Sequence, residues 1–357
     1  MASAIGTCRS PRSALACAVA ATALAIRAVA KDARGRDIAI SLDELLSSTK
    51  EVRWAAGGRL LGALNATGHA VVQGSAAAIL ARDLLEEQVM TCPNASAVDA
   101  MARRGQASGY SQGPPDGNAL ANVYDGVEFS VPPCLPPKPE LKARIQALHT
   151  AMQDMAKLLL RALAELPSAV APTWLAEALG RGWGRQVLLR SMAYGGPSPE
   201  AADVHSEAIG SGVSGQAALG RWARLTPHQD PSWLSLVVEG SAGLLTRSPE
   251  RAQWHLANGE GRLLVMAGAR LAKASGGSIP AACHGISAPP PGRQPRFTWV
   301  LLYTSNCCAY RDPWAGALLD SCGVTAAAAL RLRPGGYALD ESCADADCGG
   351  CSVLHGR

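Results

Sequence analysis

A chain of 357 residues with 48% apolar content has enough material for one large domain or two small ones with an ample core, which excludes a disordered protein. Its 33 lysines and arginines stand against 29 acids for a net charge of +4, but Arg9, Arg12 and Arg27 fall in the first thirty residues, and the remainder is nearly balanced. No nucleic-acid partner is expected from such a balance.

Residues 1–31 contain no acid, carry those three arginines, and include an alanine-rich run from Ala14 to Ile26. They read as a targeting segment. The uncharged run is too short to span a bilayer, and Ala28-Val29-Ala30 suits a small-residue cleavage site. Arginine and serine without acids fit an organelle transit peptide, for a plastid or mitochondrion. The apolar run fits a secretory signal, and an alanine-rich extension of a cytoplasmic protein is the plain alternative. No stable membrane span is expected.

Beyond this segment, Ile38-Ala39-Ile40 alternates like a short strand, and Ser41 to Leu46 reads as a capped helical turn. A helix is predicted from Lys50 to Asn65, with Val52, Ala56, Leu60, Leu61 and Leu64 at helical spacing. Thr67 to Gly74 gives a turn and a strand, and Ala76 to Met90 a second helix. From Thr91 to Pro139 the chain is rich in Gly, Pro, Asn and Ser and reads as mostly loop. Pro139 to Leu166 forms a long amphipathic helix, with Leu141, Ile145, Leu148, Met152, Met155 and Leu159 on one face as core filler. Gln186 to Tyr194 reads as a strand, Glu200 to Arg221 as a Gly/Ser/Ala-rich insert, and Trp233 to Tyr303 as short strands between Gly/Pro turns.

The chemistry concentrates between His228 and Thr298. On a strand, residues i and i+2 share a face, so His228 and Asp230 can bind one ion while Gln229 points away. His284, fifty-four residues beyond Asp230, is the candidate third ligand. Two imidazoles and one carboxylate leave the remaining positions of an octahedral ion open, which suits Fe(II). Arg296 and Thr298 form another i, i+2 pair. A guanidinium fork can hold a carboxylate by two hydrogen bonds, and a hydroxyl can add a third. The plainer alternatives are a capping or core histidine at 228, an exposed strand arginine at 296, and simple packing for Tyr194.

This ordered set resembles the 2-oxoglutarate- and Fe(II)-dependent dioxygenases, in particular the branch containing isopenicillin N synthase and the plant hormone and flavonoid oxygenases. The likeness runs through His228-Gln229-Asp230, Leu234 to Val238, Gly243-Leu244, Trp254, Gly261 to Gly268, His284 and Arg296 to Tyr303. It implies a mainly β fold with flanking helices around a double-stranded β-helix, a jelly-roll relative. It also implies metal ligation by His228, Asp230 and His284, and capture of the distal carboxylate of 2-oxoglutarate by Arg296, Thr298 and Tyr194. The expected cofactors are Fe(II), 2-oxoglutarate as co-substrate and O2, with ascorbate as a possible addition. The expected reaction is oxidation of a small organic molecule, by default hydroxylation, with release of succinate and CO2. The alternatives are a co-substrate-free oxidase like isopenicillin N synthase and a non-catalytic barrel that binds a ligand. A monomer is expected.

The implied organisation is a targeting segment at 1–31, an N-terminal dioxygenase-type region at 37–139, a helix plus oxygenase core at 140–310, and a cysteine-rich tail at 311–357. The sequence departs from the family at Gly68-His69-Ala70, which makes His69 structural, at Gly285 after His284, and at Pro231-Ser232-Trp233. Trp233 and the insert are expected to reshape the substrate pocket. Most of the 11 cysteines read as small buried hydrophobes. In the tail, Cys343, Cys348 and Cys351 could bind zinc or an iron–sulfur cluster with His355 or Cys322, but a metal-free tail is expected.

Overall fold

The strands from residue 234 onward alternate between side chains that suit a dry helix-covered face and side chains that suit a mixed, partly polar one, and this alternation sets the layers. The computed structural model describes residues 39–92, 118–124, 135, 138–166, 178–179, 187–194, 228–230, 232–250, 254–257, 259, 261–286 and 296–303. The expected leader, the insert at 200–221 and the cysteine-rich tail lie outside the described residues.

The elements are β1 (Ala39–Ser41), α1 (Leu42–Leu45), α2 (Lys50–Thr67), β2 (Ala70–Gln73), α3 (Ala76–Thr91), β3 (Asn118–Tyr124), α4 (Pro139–Ala164) and β4 (Val187–Tyr194). They continue with β5 (Leu234–Glu239), β6 (Leu244–Arg247), β7 (Trp254–Leu256), β8 (Leu263–Ala267), α5 (Ala269–Ala274), β9 (His284–Ile286) and β10 (Arg296–Tyr303). Seven strands form one sheet in the order β1-β2-β8-β5-β10-β4-β3, and three form a second in the order β7-β6-β9. The fold is therefore strands in two sheets with flanking helices. Apart from the parallel pair β1-β2, every neighbouring pair is antiparallel.

Two apolar layers follow from the strand faces. Leu234, Leu236, Val238, Phe297, Trp299, Leu301 and Tyr303 join the core built with α2, α3 and α4. Val71, Met192, Tyr194, Val237, Leu264 and Met266 form a second layer with Leu244, Ala282 and Ile286. The stripe predicted on α4 is buried as expected, including Met152 and Met155. On α2 the buried face is Ala56, Leu60, Ala63 and Leu64, while Val52 is exposed. Gly68 ends α2 in the left-handed region at φ 80°, and a methyl group there would lie 2.8 Å from the Arg247 carbonyl oxygen.

Four expectations need correction. β3 lies inside the stretch read as mostly loop. Only Val123 among its seven residues is β-branched, so the strand has little propensity of its own and forms through its pairing with β4. Helix α5 interrupts the run read as strands, because Ala269-Arg270-Leu271-Ala272-Lys273-Ala274 are good helix formers. Trp233 was expected to reshape the substrate pocket, but it belongs to the helix-side core and not to the layer beside the site. It is fully buried in the helix-side core with Phe297 and Trp299, where truncation to alanine would cost about 3–5 kcal/mol. Finally, Cys92 and Cys283 each take part in a disulfide, so these two are more than small hydrophobes. Among the described residues, no helix is long and apolar enough to cross a membrane.

Candidate metal centre

His228 and His284 meet because their backbones pair. Each donates its N–H to the other's carbonyl oxygen at 2.9 Å, an isolated antiparallel bridge that extends the three-stranded sheet beyond β9. Such a doubly bonded pair sets the two Cα atoms about 5.5 Å apart with side chains on one face. The imidazole centroids are 4.3 Å apart. Gln229 points away, as period two demands, and its side-chain amide donates to the Ala281 carbonyl oxygen at 3.3 Å.

Asp230 completes the group. Its Oδ1 lies 3.4 Å from His228 Nε2 and its Oδ2 lies 3.5 Å from His284 Nε2. One ligand atom from each of the three residues falls within 4.8 Å of the other two. Donors bonded at about 2.1 Å on perpendicular axes sit about 3 Å apart, and the Asp230–His228 and Asp230–His284 separations of 3.4 and 3.5 Å are close to that spacing. The donor chemistry fits as well. His284 Nδ1 donates to the Ala282 carbonyl oxygen at 3.2 Å, which leaves the Nε2 lone pair for a metal. Side-chain exposure falls from 26% at His228 through 12% at Asp230 to 6% at His284, so the centre opens on the His228 side.

Burial pushes the His284 pKa down to about 4, against the opposing field of Asp230 and assisted by the charge of His228. The ring is therefore neutral at ordinary pH. Burial alone would raise the Asp230 pKa, but the fields of His284 and His228 and hydrogen bonds from His228 and Ser235 outweigh it and hold the carboxyl well below its usual range. The triad thus rests as a carboxylate and a neutral imidazole, the forms a metal binds.

A second polar group lies on the seven-stranded sheet. β10 pairs with β4 so that Arg296 faces Tyr194, and with β5 so that Thr298 faces Glu239. Tyr194, Arg296 and Thr298 are all buried. Burial raises the Tyr194 pKa, with a hydrogen bond to Thr298 opposing, so the phenol stays protonated. Burial pulls the Arg296 pKa below its ordinary value, and the Glu239 carboxylate pushes back. Gly243 makes room for the guanidinium, since a methyl group there would sit 1.9 Å from Arg296 Cζ.

The two groups are joined by β5. Leu234, Leu236 and Val238 face the helix-side core, so Ser235, Val237 and Glu239 share the other face. Ser235 donates to Asp230 Oδ2 at 2.5 Å, and Glu239 Oε1 accepts the Leu244 N–H at 2.8 Å. Sequence reading missed both residues. Their signal was a serine and a glutamate at i and i+4 in an otherwise apolar strand, and both are fully buried. His69 is structural, as expected: it is buried, with Nδ1 2.8 Å from Thr246 Oγ1 and outside the triad.

No family model and no curated protein matches the chain. Solved structures do. Neurospora crassa T7H in complex with alpha-KG aligns at a TM-score of 0.51 and 16% identity, over 78% of this chain and 87% of T7H. Its C-terminally truncated apo form aligns at 0.50 and 17%, over 77% of this chain and 97% of that one. The dioxygenase for auxin oxidation 1 from Arabidopsis thaliana, as its 2-oxoglutarate complex, aligns at 0.49 and 15%, over 75% and 92%. The chain thus shares the fold of Neurospora crassa T7H, and it carries a His-Asp-His triad on that fold. Placement in the isopenicillin N synthase-like branch rests on the sequence motifs alone.

Proposed function

We propose that the protein is an Fe(II)- and 2-oxoglutarate-dependent oxygenase that hydroxylates a small organic molecule and releases succinate and CO2. The carrying observation is the convergence of His228, Asp230 and His284 within 4.8 Å. The two sheets are taken as the walls of a double-stranded β-helix with the triad at its open end.

In this reading His228 Nε2, His284 Nε2 and the Asp230 carboxylate hold the metal. Bound Fe(II), with O2 and 2-oxoglutarate, supplies the oxidising power for attack on an unactivated C–H bond. The protein's own part is placement. The Ala282 carbonyl oxygen keeps the proton of His284 on Nδ1. The Arg296 fork, the Thr298 hydroxyl and the protonated Tyr194 phenol are the donors for the distal carboxylate of the co-substrate. The apolar layer around Met192, Val237 and Met266 keeps bulk water from that anion.

Glu239 favours a second reading. A buried carboxylate beside Arg296 already offsets the positive charge, which suits a co-substrate-free oxidase that binds no dicarboxylate there. One assay separates the two. The oxygenase forms succinate from 2-oxoglutarate in the presence of Fe(II) and O2, and Asp230→Ala does not; the oxidase consumes O2 without succinate. The acid-free residues 1–31 add an organellar leader to the proposal, tested by N-terminal sequencing of protein from its native source.

A further inference from the structure

Asp230 has two carboxylate oxygens at nearly the same distance from the two imidazoles, 3.4 Å for Oδ1 to His228 and 3.5 Å for Oδ2 to His284. The histidines therefore do not decide which oxygen meets the metal, nor whether one or both do. A ligand that uses both oxygens occupies an extra coordination position. At a centre that must accept co-substrate and O2, that position matters.

Ser235 breaks the tie. It is fully buried on the site-facing side of β5, and its hydroxyl reaches Asp230 Oδ2 at 2.5 Å. A carboxylate that binds metal has only lone pairs to offer, so Ser235 must be the donor. Its Oγ is then left as an acceptor. Ser232, also fully buried, lies 2.9 Å away Oγ to Oγ, so Ser232 donates to Ser235 and Ser235 donates to Asp230. The direction of the chain is fixed at its Asp230 end.

The chain is anchored from behind by the corner that follows β8. Ala269 N–H donates to the Asp230 carbonyl oxygen at 2.8 Å, Arg270 N–H to that of Ser232 at 3.2 Å, and Gly268 N–H to that of Trp233 at 3.0 Å. A methyl group at Gly268 would lie 2.0 Å from the Ser232 carbonyl oxygen and 2.5 Å from its Oγ. The Ser232 hydroxyl is thus packed closely against the backbone at Gly268.

Resting on the metal-centre reading above, we propose that Ser235, backed by Ser232, is the positioning residue that makes Asp230 a one-oxygen ligand through Oδ1 and keeps a coordination position open. Ser235 touches neither substrate nor metal. It acts by occupying Oδ2 and fixing the rotation of the carboxylate.

The test uses Co(II) as probe, because its visible absorption reports coordination number, and anaerobic titration of the full chain gives affinity without turnover. Wild type, Ser235→Ala, Ser235→Thr, Ser232→Ala and Asp230→Ala are compared, with thermal melting of the metal-free proteins as a fold control. Ser235→Ala is expected to weaken Co(II) binding about 10- to 100-fold and to change the band intensity towards a higher coordination number. Ser235→Thr, which keeps the hydroxyl, should restore both. Ser232→Ala should show the same spectral change with a smaller loss of affinity, and it decides the matter if Ser235→Ala fails to fold. Wild-type affinity and spectrum in Ser235→Ala, or in Ser232→Ala where that variant decides, overturn the proposal while leaving the metal centre standing. Absence of Co(II) binding by wild type overturns both.

Discussion

His228 and His284 are bound to each other through both backbone hydrogen bonds, at 2.9 Å each, before any metal is considered. Two ligands from segments more than fifty residues apart are thereby held side by side by main chain alone. Replacing either imidazole leaves that pairing intact. We expect His228→Ala, His284→Ala and Asp230→Ala each to lose Fe(II) binding while the fold survives, checked by metal analysis of purified protein beside far-UV circular dichroism. Full metal content in Asp230→Ala would refute the assignment.

The low pKa of His284 has a consequence for stability. In the unfolded chain this imidazole takes up its proton near its ordinary 6.5, whereas burial delays uptake in the folded protein to about pH 4. Between these values the unfolded state binds more protons, so metal-free protein loses stability as pH falls from 6.5 to 4, by at most roughly 3 kcal/mol. Asp230, whose carboxyl is held below its usual range, adds a further loss below its ordinary value of 3.8. Melting temperatures of wild type and His284→Gln between pH 7.5 and 4 test this: the wild-type curve should fall more steeply. Parallel curves would contradict it.

Much of this was legible beforehand. His228 with Asp230, and Arg296 with Thr298, are i, i+2 pairs, and period two is a local property that survives folding, whereas His284 was reached through the family resemblance. The stripe on α4 was equally visible, because 26 residues give helical periodicity room to repeat. Ser235 and Glu239 were hidden, since their importance comes from facing residues on other segments, Asp230 and Arg296. Strand β3 was hidden for a related reason: its stability comes from the partner strand and not from its own residues. Trp233 was misjudged because nearness in sequence to Asp230 suggested the pocket, whereas it precedes β5, escapes the strand's alternation and packs in the same helix-side core as its neighbour Leu234.

Gly243 supplies a sharper test of the second polar group. A methyl group there would collide with the end of the Arg296 side chain, which is flexible, so the fold should tolerate Gly243→Ala while the guanidinium moves. We expect unchanged Fe(II) content and a clear rise in the apparent Kd for 2-oxoglutarate, read by isothermal calorimetry under anaerobic conditions. Unaltered 2-oxoglutarate affinity would mean that the guanidinium is not placed by this contact.

Glu239 offers the opposite change. Removing its charge by Glu239→Gln keeps an oxygen for the Leu244 N–H but leaves the Arg296 charge less offset. 2-Oxoglutarate should then bind more tightly, by about fivefold if the carboxylate contributes roughly 1 kcal/mol of repulsion to the incoming anion. Weaker binding in Glu239→Gln would instead show that Glu239 orients Arg296 for the co-substrate.

The most direct test of the whole account is anaerobic titration of the Fe(II) protein with 2-oxoglutarate, following the charge-transfer absorption of the complex, for wild type, Arg296→Gln and Arg296→Lys. If Arg296 holds the distal carboxylate through two charge-assisted hydrogen bonds, the Gln variant loses about 2–5 kcal/mol of binding, roughly thirty-fold to several-thousand-fold in affinity. Arg296→Lys recovers only part of this, since an ammonium lacks the planar fork. Saturable binding by wild type with that ranking is the predicted result. A wild-type protein that holds Fe(II) yet shows no 2-oxoglutarate complex, or three proteins that bind it equally, would contradict the account.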